Sequence, residues 1–300
     1  MDNDNPFIRK IKKLYKTVKF KINYSDKTVL CKQDGNTEIF NVLSVNAPAM
    51  IARCGATEMR CIGEYLKGCF SEKIKREIQQ LSGVFPVTDE FLRKFCEFYI
   101  ECVGKSDILA LWGAGAESKV VHRYCENSRF VELEALEPYY FDNPWSRILK
   151  GKKVLVIHPF RPSIMSQYEN RIKLFTNQDV LPKFRKLTCI QAVQSLAGEK
   201  SEFVTWFEAL EYMCKEIVKI DFDIAIIGAG AYGLPLASYV KSIGKKAVQL
   251  SGATQILFGI KGKRWDKHPL ISLLYNDYWV RPLIEETPKE KQKVEGGSYW

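Results

Sequence analysis

The chain has 300 residues, of which 46% are hydrophobic and 27% are charged, and its formal net charge is +10. This composition is ordinary for a globular protein and excludes a disordered protein, a collagen-like fibre and a small disulfide-held scaffold. The nine cysteines show no C-x-x-C spacing and lie mostly in apolar runs, which predicts free thiols in a reducing compartment. The opening residues do not resemble a signal peptide, so we expect a cytoplasmic protein.

Half of the positive charge excess lies in residues 1–24, which hold seven basic and two acidic side chains. Ile11, Leu14, Tyr15 and Val18 fall on one face of the helix predicted there. A basic amphipathic helix can bind an anionic membrane surface, which would place the protein on the inner face of the membrane. The alternative is a solvated helix that docks on the rest of the protein through the same apolar stripe.

Short apolar segments alternate with helical segments after residue 105. The predicted strands lie at 107–112, 154–157, 223–227 and 247–250. Continuous apolar strands that alternate with helices predict a Rossmann-like α/β fold, with a parallel sheet covered by helices on both faces. We therefore expect one domain over residues 25–286, preceded by the basic helix and followed by a charged, flexible tail over 287–300.

A glycine-rich motif follows the strand predicted at 223–227 and precedes a helix. The residues of interest in it are Gly228, Gly230, Tyr232 and Gly233. In this context the backbone N–H groups and the helix dipole favour a phosphate group. The next strand ends at Gln249 and Ser251 rather than at the carboxylate that a dinucleotide fingerprint requires. A nucleotide diphosphate, a dinucleotide and plain close packing therefore remain as three interpretations.

A second strand–glycine–helix turn, GAGAES, contains Gly113 and Gly115. It matches the phosphate-binding pattern less well, because a serine replaces the last glycine. Two such turns at one sheet edge suit a nucleotide with two polar ends, and they also suit plain tight connections.

The segment that follows the last predicted strand contains Gln255 and a basic loop. The cations of this loop are Lys261, Lys263 and Arg264. A departing diphosphate needs such cations, or a metal, to accept its developing charge, although a solvated loop has the same composition. Nucleic acid is not expected as a partner, because the basic residues are not interleaved with aromatic ones on a single face.

His158 follows the strand predicted at 154–157, at the edge of the sheet where sites of parallel α/β folds lie. Its ordinary pKa suits a general base. Ser163 and Gln167 follow on the next helix and are candidates for holding a sugar or a phosphate. Glu137, in LEPYY, is another candidate base.

Four stretches together resemble the GT-D-type glycosyltransferases, most closely the bacterial branch found among capsule and surface-polysaccharide biosynthesis proteins. These stretches are ARCGATE, LEPYYFDNPWSRILKGKKVLVIHPF, QAVQSLAG and DFDIAIIGAGAYGLPLASYVKSIGKKAVQLSGATQILFGIKGKRW. The resemblance covers roughly residues 40–280. It implies a Rossmann-like enzyme that moves a sugar from a nucleotide-diphosphate donor to a glycan or lipid-linked acceptor with the help of a metal.

The resemblance also implies donor-binding roles for Arg53, Gly55 and Glu58. Founding members of the family carry Arg-Tyr-Gly-Asp-Gly-Glu here, in which a D-x-E pair holds the metal and diphosphate. This chain has Ala56 in place of the first acid. Glu58 is thus a candidate ligand for Mn²⁺ or Mg²⁺, since one carboxylate plus substrate phosphates can hold such an ion, and it is equally a candidate general base.

The sequence leaves the general base open among Glu58, Glu137 and His158. It also leaves two other functions open. The glycine motif at 228–233 favours an NAD-dependent oxidoreductase, whereas Ala56 favours a non-catalytic nucleotide-sugar-binding protein.

Overall fold

A computed structural model describes residues 6–196 and 201–300 and shows one open sheet of eight parallel strands. The strands are β1 Val29–Leu30, β2 Ala49–Arg53, β3 Ile108–Leu111, β4 Arg129–Glu132, β5 Lys153–His158, β6 Lys186–Gln191, β7 Ile224–Ile227 and β8 Lys246–Gln249. Their order in the sheet is β1-β4-β3-β2-β8-β7-β5-β6. The α/β class and the parallel sheet predicted from the sequence are confirmed.

Helices connect these strands. They are α1 Pro6–Asn23, α2 Lys32–Ser44, α3 Ala56–Tyr65, α4 Glu72–Ser82, α5 Asp89–Gly104, α6 Glu117–Tyr124, α7 Arg161–Glu169, α8 Arg171–Leu174, α9 Trp206–Ile217, α10 Gly233–Ser242 and α11 Ala253–Leu257. Hydroxyl caps fix several starts: the hydroxyl oxygen of Thr88 accepts from the backbone N–H of Phe91 at the start of α5. Within the part of the chain that is described, no helix is long and apolar enough to cross a membrane.

Both faces of the sheet are buried under helices. Met50 and Ala52 of β2 pack in one core with helices α3, α4, α5, α9 and α10. Ala49 and Ile51, the alternate residues of the same strand, pack in a second core with α2, α7 and α11. Successive side chains of a strand point to opposite faces, so burial of both sets explains why the strands are continuous apolar runs.

The carboxyl ends of four neighbouring strands, β2, β8, β7 and β5, meet at one edge of the sheet. Because β7 continues to β8 on one side while β5 continues to β6 on the other, the chain changes direction between β7 and β5. A crevice forms at such a switch point, and ligands of open α/β sheets bind there. The fold therefore places the segments that follow these four strands around a common space.

The structure differs from the expected flexible tail over 287–300. Val294 and Trp300 are buried, and the indole Nε1 of Trp300 donates to the carbonyl oxygen of Glu286 at 3.1 Å. The segment packs against the carboxyl edge of the sheet and contributes to the cavity described below. Residues 1–5 of the predicted basic helix lie outside the described residues.

Candidate functional site

A cavity of about 180 Å³ lies at the carboxyl edge of the sheet. Segments that follow β2, β5, β7 and β8 line it, and residues of the 294–300 segment close another side. Of the residues predicted from the sequence, the cavity brings together Arg53, Gly55, Glu58, His158, Gly228, Gly230, Gln255 and Arg264. The site is thus built from parts of the chain that are far apart in sequence.

Arg53 ends β2 and projects its guanidinium into this cavity. The guanidinium carbon lies 4.9 Å from the ring centroid of Trp112, a cation–π contact, and the buried Nε has no hydrogen-bond partner among the described residues. The backbone N–H of Arg53 donates to Oε1 of Gln249 at 2.8 Å. A fixed, half-buried guanidinium with a free donor is suited to binding an anion such as a phosphate.

Glu58 lies in the first turn of α3 and folds back over Gly55. A Cβ atom at Gly55 would lie 2.0 Å from Oε2 of Glu58, so a larger residue there would displace the Glu58 carboxylate. Burial raises the pKa of Glu58, although a hydrogen bond from Ser82 and the charge of Arg53 act in the opposite direction. A carboxylate with a raised pKa is a stronger base than an exposed one.

His158 ends β5 and is buried, and its imidazole is neutral because burial lowers its pKa to about 3. The backbone N–H of Phe160 donates to Nδ1 at 3.0 Å. Since Nδ1 accepts this bond, the proton of the neutral ring lies on Nε2. The geometry therefore favours His158 as a hydrogen-bond donor and does not support the general-base role expected from the sequence.

In the glycine motif after β7, two glycines permit close packing and a third, Gly230, lies in open space. A Cβ atom at Gly228 would lie 2.6 Å from Cδ2 of His158, and one at Gly233 would lie 3.3 Å from Cγ of Gln249. Gly230 has a φ of +53° and lines the cavity. A Cβ atom there would meet no described atom within 4 Å apart from its chain neighbours. Gly228 and Gly230 both line the cavity, but Gly230 is the exposed one and leaves room for a ligand.

Tyr232 does not face the cavity, in contrast to its predicted donor-binding role. Its ring stacks on Trp206 with centroids 4.9 Å apart, and its hydroxyl lies 3.2 Å from that of Ser195. Burial raises the pKa of Tyr232, so the phenol stays neutral. The tyrosine is part of the helical core beneath the glycine turn.

Gln255, on α11, has one end of its amide engaged and the other free. Nε2 donates to the carbonyl oxygens of Ile260 at 3.3 Å and Tyr299 at 3.2 Å. Oε1 is buried without a hydrogen-bond partner among the described residues. A buried acceptor without a partner is costly unless a ligand donates to it.

Arg264 is the one cation of the predicted basic loop that lines the cavity. Its guanidinium carbon lies 5.0 Å from the ring centroid of Tyr299, and Nη2 lies 3.8 Å from Oε2 of Glu295. Lys263 instead donates to the carbonyl oxygen of Gly296 at 3.1 Å. Lys261 stands 5.4 Å from the ring centroid of Tyr275, away from the cavity.

The second glycine turn binds a side chain of its own segment. Oε2 of the fully buried Glu117 accepts the backbone N–H groups of Gly113 at 2.6 Å and Trp112 at 3.1 Å. It also accepts the hydroxyl of Tyr24 at 2.7 Å. The predicted donor-binding role of this turn is therefore not supported, because a carboxylate already occupies its N–H groups.

Gly115 belongs to the same turn and serves close packing. A Cβ atom there would lie 2.6 Å from the backbone carbon of Met59 in α3. This glycine therefore permits α3 to approach the turn and does not approach the cavity.

Ser163 and Gln167, predicted to hold the donor, bind the C-terminal part of the chain. Both the N–H and the hydroxyl of Ser163 donate to the buried carboxylate of Glu286. Nε2 of Gln167 donates to the carbonyl oxygens of Gly259 at 3.0 Å and Tyr278 at 2.9 Å. These bonds anchor the chain that leads to the 294–300 segment.

Glu137 is half-buried, and the hydroxyl of Tyr139 donates to its Oε2 at 2.7 Å. Burial raises its pKa, while the bond from Tyr139 and the charge of Arg53 act in the opposite direction. Glu137 does not line the cavity, so Glu58 is the better placed of the two predicted bases.

The donor set does not fit a metal ion held by the protein alone. Among the described residues, no three histidine, cysteine or carboxylate side chains cluster as a metal site would require. Ala56 offers no ligand beside Glu58, and the nearest cavity carboxylate of another segment, Glu295, lies close to Arg264. The fixed cations Arg53 and Arg264 are the groups present to neutralise an anion.

The cavity residues that were not predicted as functional from the sequence include Trp112, Gln249, Tyr299 and Trp300. Gln249 stands where a dinucleotide fold has an acid. Its position at the end of β8 is the sequence feature that could have identified it as a site residue. The two aromatic residues near the C-terminus carry no local motif. Their role depends on the anchoring of Glu286, which no local pattern shows.

The chain was compared with protein-family models, with curated proteins and with solved structures, and none of these comparisons finds a match.

Proposed function

We propose that this chain is a glycosyltransferase that moves a sugar from a nucleotide-diphosphate donor to a glycan or lipid-linked acceptor in bacterial surface-polysaccharide synthesis. The observation that carries the proposal is the half-buried guanidinium of Arg53, which stacks on Trp112 beside the open backbone of Gly230. Its Nε has no hydrogen-bond partner among the described residues. The sequence resemblance supplies the reaction class and the acceptor class.

In this proposal Arg53 and Arg264 bind the diphosphate. Arginine suits this role because its planar fork can hold two phosphate oxygens at once. The buried Oε1 of Gln255 accepts a hydroxyl of the sugar, and Nε2–H of His158 donates to a sugar or phosphate oxygen. These groups are fixed before the donor binds, so they stabilise developing charge without rearrangement.

Glu58 acts as the general base of a direct displacement. The acceptor oxygen forms a bond to the anomeric carbon while the bond from that carbon to the diphosphate oxygen breaks. The bonding electron pair leaves with the diphosphate, and the acceptor proton passes to the Glu58 carboxylate. In this scheme Arg53 and Arg264 neutralise the departing diphosphate, and no step is assigned to a metal.

Thermal-shift and calorimetric titrations of the full chain test the proposal. The ligands are UDP-, GDP-, CMP- and dTDP-sugars and NAD, each with Mn²⁺ and with EDTA. We expect one nucleotide sugar to bind in both conditions and Arg53→Ala to weaken it by at least about tenfold, since a charge-assisted bond is lost. Arg123→Ala is the control, because Arg123 makes a similar cation–π contact with Tyr124 outside the cavity.

Glu58→Gln tests the chemical step with the same ligand. We expect donor binding to persist and transfer, followed by mass spectrometry of the acceptor, to be abolished. Glu285→Gln on the surface should leave transfer unchanged. Binding of NAD alone would support the oxidoreductase instead, and binding of a nucleotide sugar without transfer or hydrolysis by the unaltered chain would support a binding protein.

A further inference from the structure

The N-terminal helix α1 exposes an apolar stripe that the protein body does not cover. The stripe consists of Ile11, Leu14, Tyr15, Val18 and Ile22, whose exposed fractions lie between 46% and 69%. These positions recur every three or four residues and therefore share one side of the helix. Five neighbouring exposed apolar side chains on one helix indicate an interaction surface.

The stripe points away from the body because α1 docks through its opposite side. Phe20, two residues from both Val18 and Ile22, lies across the helix from the stripe and is half-buried. Its ring centroid lies 4.7 Å from that of Tyr24, whose hydroxyl donates to Glu117. The structure therefore contradicts the alternative in which α1 docks on the rest of the protein through the apolar stripe.

The charges of α1 indicate what covers the stripe. The helix contains seven basic residues and no acidic one. Lys19 and Lys21 lie on the two borders of the stripe, and both are exposed. Lysines that flank an apolar face keep their ammonium groups at the level of lipid headgroups while the stripe enters the acyl boundary.

We propose that α1 docks this protein on an anionic lipid surface through the stripe. The attachment of α1 also orients the protein, because Phe20 packs beside Gly113, two residues after β3 at the carboxyl edge of the sheet. That edge holds the candidate site. The docked helix therefore keeps the site next to the membrane, where, if the proposed function holds, a lipid-linked acceptor lies.

Vesicle flotation of the full chain, without any donor, tests this inference. The vesicles contain phosphatidylcholine alone or phosphatidylcholine with about one third phosphatidylglycerol. We expect binding to the anionic vesicles that falls at least about tenfold at high salt, since each lysine contributes electrostatically. Absence of binding to anionic vesicles at low salt would overturn the proposal.

Paired variants test whether vesicle binding depends on the α1 stripe itself or on the overall charge and apolarity of the protein surface. Leu14→Glu with Val18→Glu, and Lys19→Glu with Lys21→Glu, should each reduce vesicle binding at least about tenfold. The matched controls, Leu273→Glu with Ile284→Glu and Lys152→Glu with Lys267→Glu, alter exposed residues elsewhere and should bind like the unaltered chain. Equal binding by the stripe variants, or a stripe-dependent dimer that binds no vesicles, would refute the docking role.

Failure of this inference is distinguishable from failure of the proposed function. Nucleotide-sugar binding is measured in solution without vesicles, and the α1 variants should retain it because none of the four altered residues of α1 lines the cavity. A chain that binds donors but no vesicles would refute only the membrane role.

Discussion

The backbone N–H of Arg53, at the end of β2, donates a 2.8 Å hydrogen bond to Oε1 of Gln249, at the end of β8. Nε2 of Gln249 donates in turn to the hydroxyl of Ser251 at 2.7 Å. Gln249 therefore fixes two edges of the crevice with one buried amide. It occupies the place where a dinucleotide fold presents a carboxylate to a ribose.

Gln249→Leu should destabilise the protein by about 1–3 kcal/mol, because it leaves a buried N–H of Arg53 without an acceptor. The free energy of unfolding in urea measures this change. Gln80→Leu on the surface is the control and should change stability little. An equally small effect at both positions would show that the Gln249 amide does not support the crevice.

Gly230→Ala should weaken donor binding at least about tenfold, because its Cβ atom enters the cavity. Its stability cost should be only about 1 kcal/mol, that of a left-handed alanine. Gly244→Ala is a matched control: Gly244 also has a positive φ and open surroundings but lies outside the cavity. It should share the stability cost and keep full donor affinity, as calorimetry can establish.

Gly228→Ala should reduce the stability of the protein more than Gly230→Ala does. Its Cβ atom would lie 2.6 Å from Cδ2 of His158 and from the carbonyl oxygen of Ser251. Overpacking of this kind costs about 1–3 kcal/mol. A fall in melting temperature larger than that of Gly230→Ala is expected, and an equal or smaller fall would contradict the packing role.

The free energy of unfolding should decrease as the pH falls, in part because of His158. Burial lowers the pKa of His158 to about 3 in the folded state, against 6.5 for the ordinary side chain. The unfolded chain therefore binds more protons in this interval, so this contribution is complete above pH 6.5 and is lost as the pH falls toward 3. His158→Asn should flatten the decline in unfolding free energy between pH 6.5 and 4.5 relative to the unaltered chain, and an unchanged slope would contradict the assignment.

Glu117→Ala should destabilise the protein without changing donor affinity. It removes the acceptor of the Trp112 and Gly113 N–H groups and of the buried Tyr24 hydroxyl. An unpaired buried donor costs about 1–3 kcal/mol. Glu126→Ala, in the exposed loop after α6, is the control. If Glu117→Ala lost donor binding but kept its stability, the second glycine turn would have to be assigned to the donor site.

Strands β3, β5, β7 and β8 were predictable because they are continuous apolar runs near glycines, whereas β2, β4 and β6 were not predicted. His158 and Gly230 were predictable because they lie at the end of such a strand or in the turn that follows it. Arg53, Gly55 and Glu58 were predicted from the sequence resemblance, and they line the same cavity.

Ser163 was misassigned because its partner, Glu286, lies 123 residues away in sequence. Lys263 and Arg264 are neighbours in one loop, and spacing alone does not distinguish which of them faces the cavity.

The strand order divides the sheet into two contiguous halves of the chain, β1–β4 and β5–β8, which share a single ladder between β2 and β8. The crevice lies across this joint, with Arg53 on one half and Gln249 on the other. Either half alone lacks part of the cavity, so the site appears only when the halves associate. A ligand that spans the joint would therefore couple their stabilities and make unfolding of the two halves more cooperative.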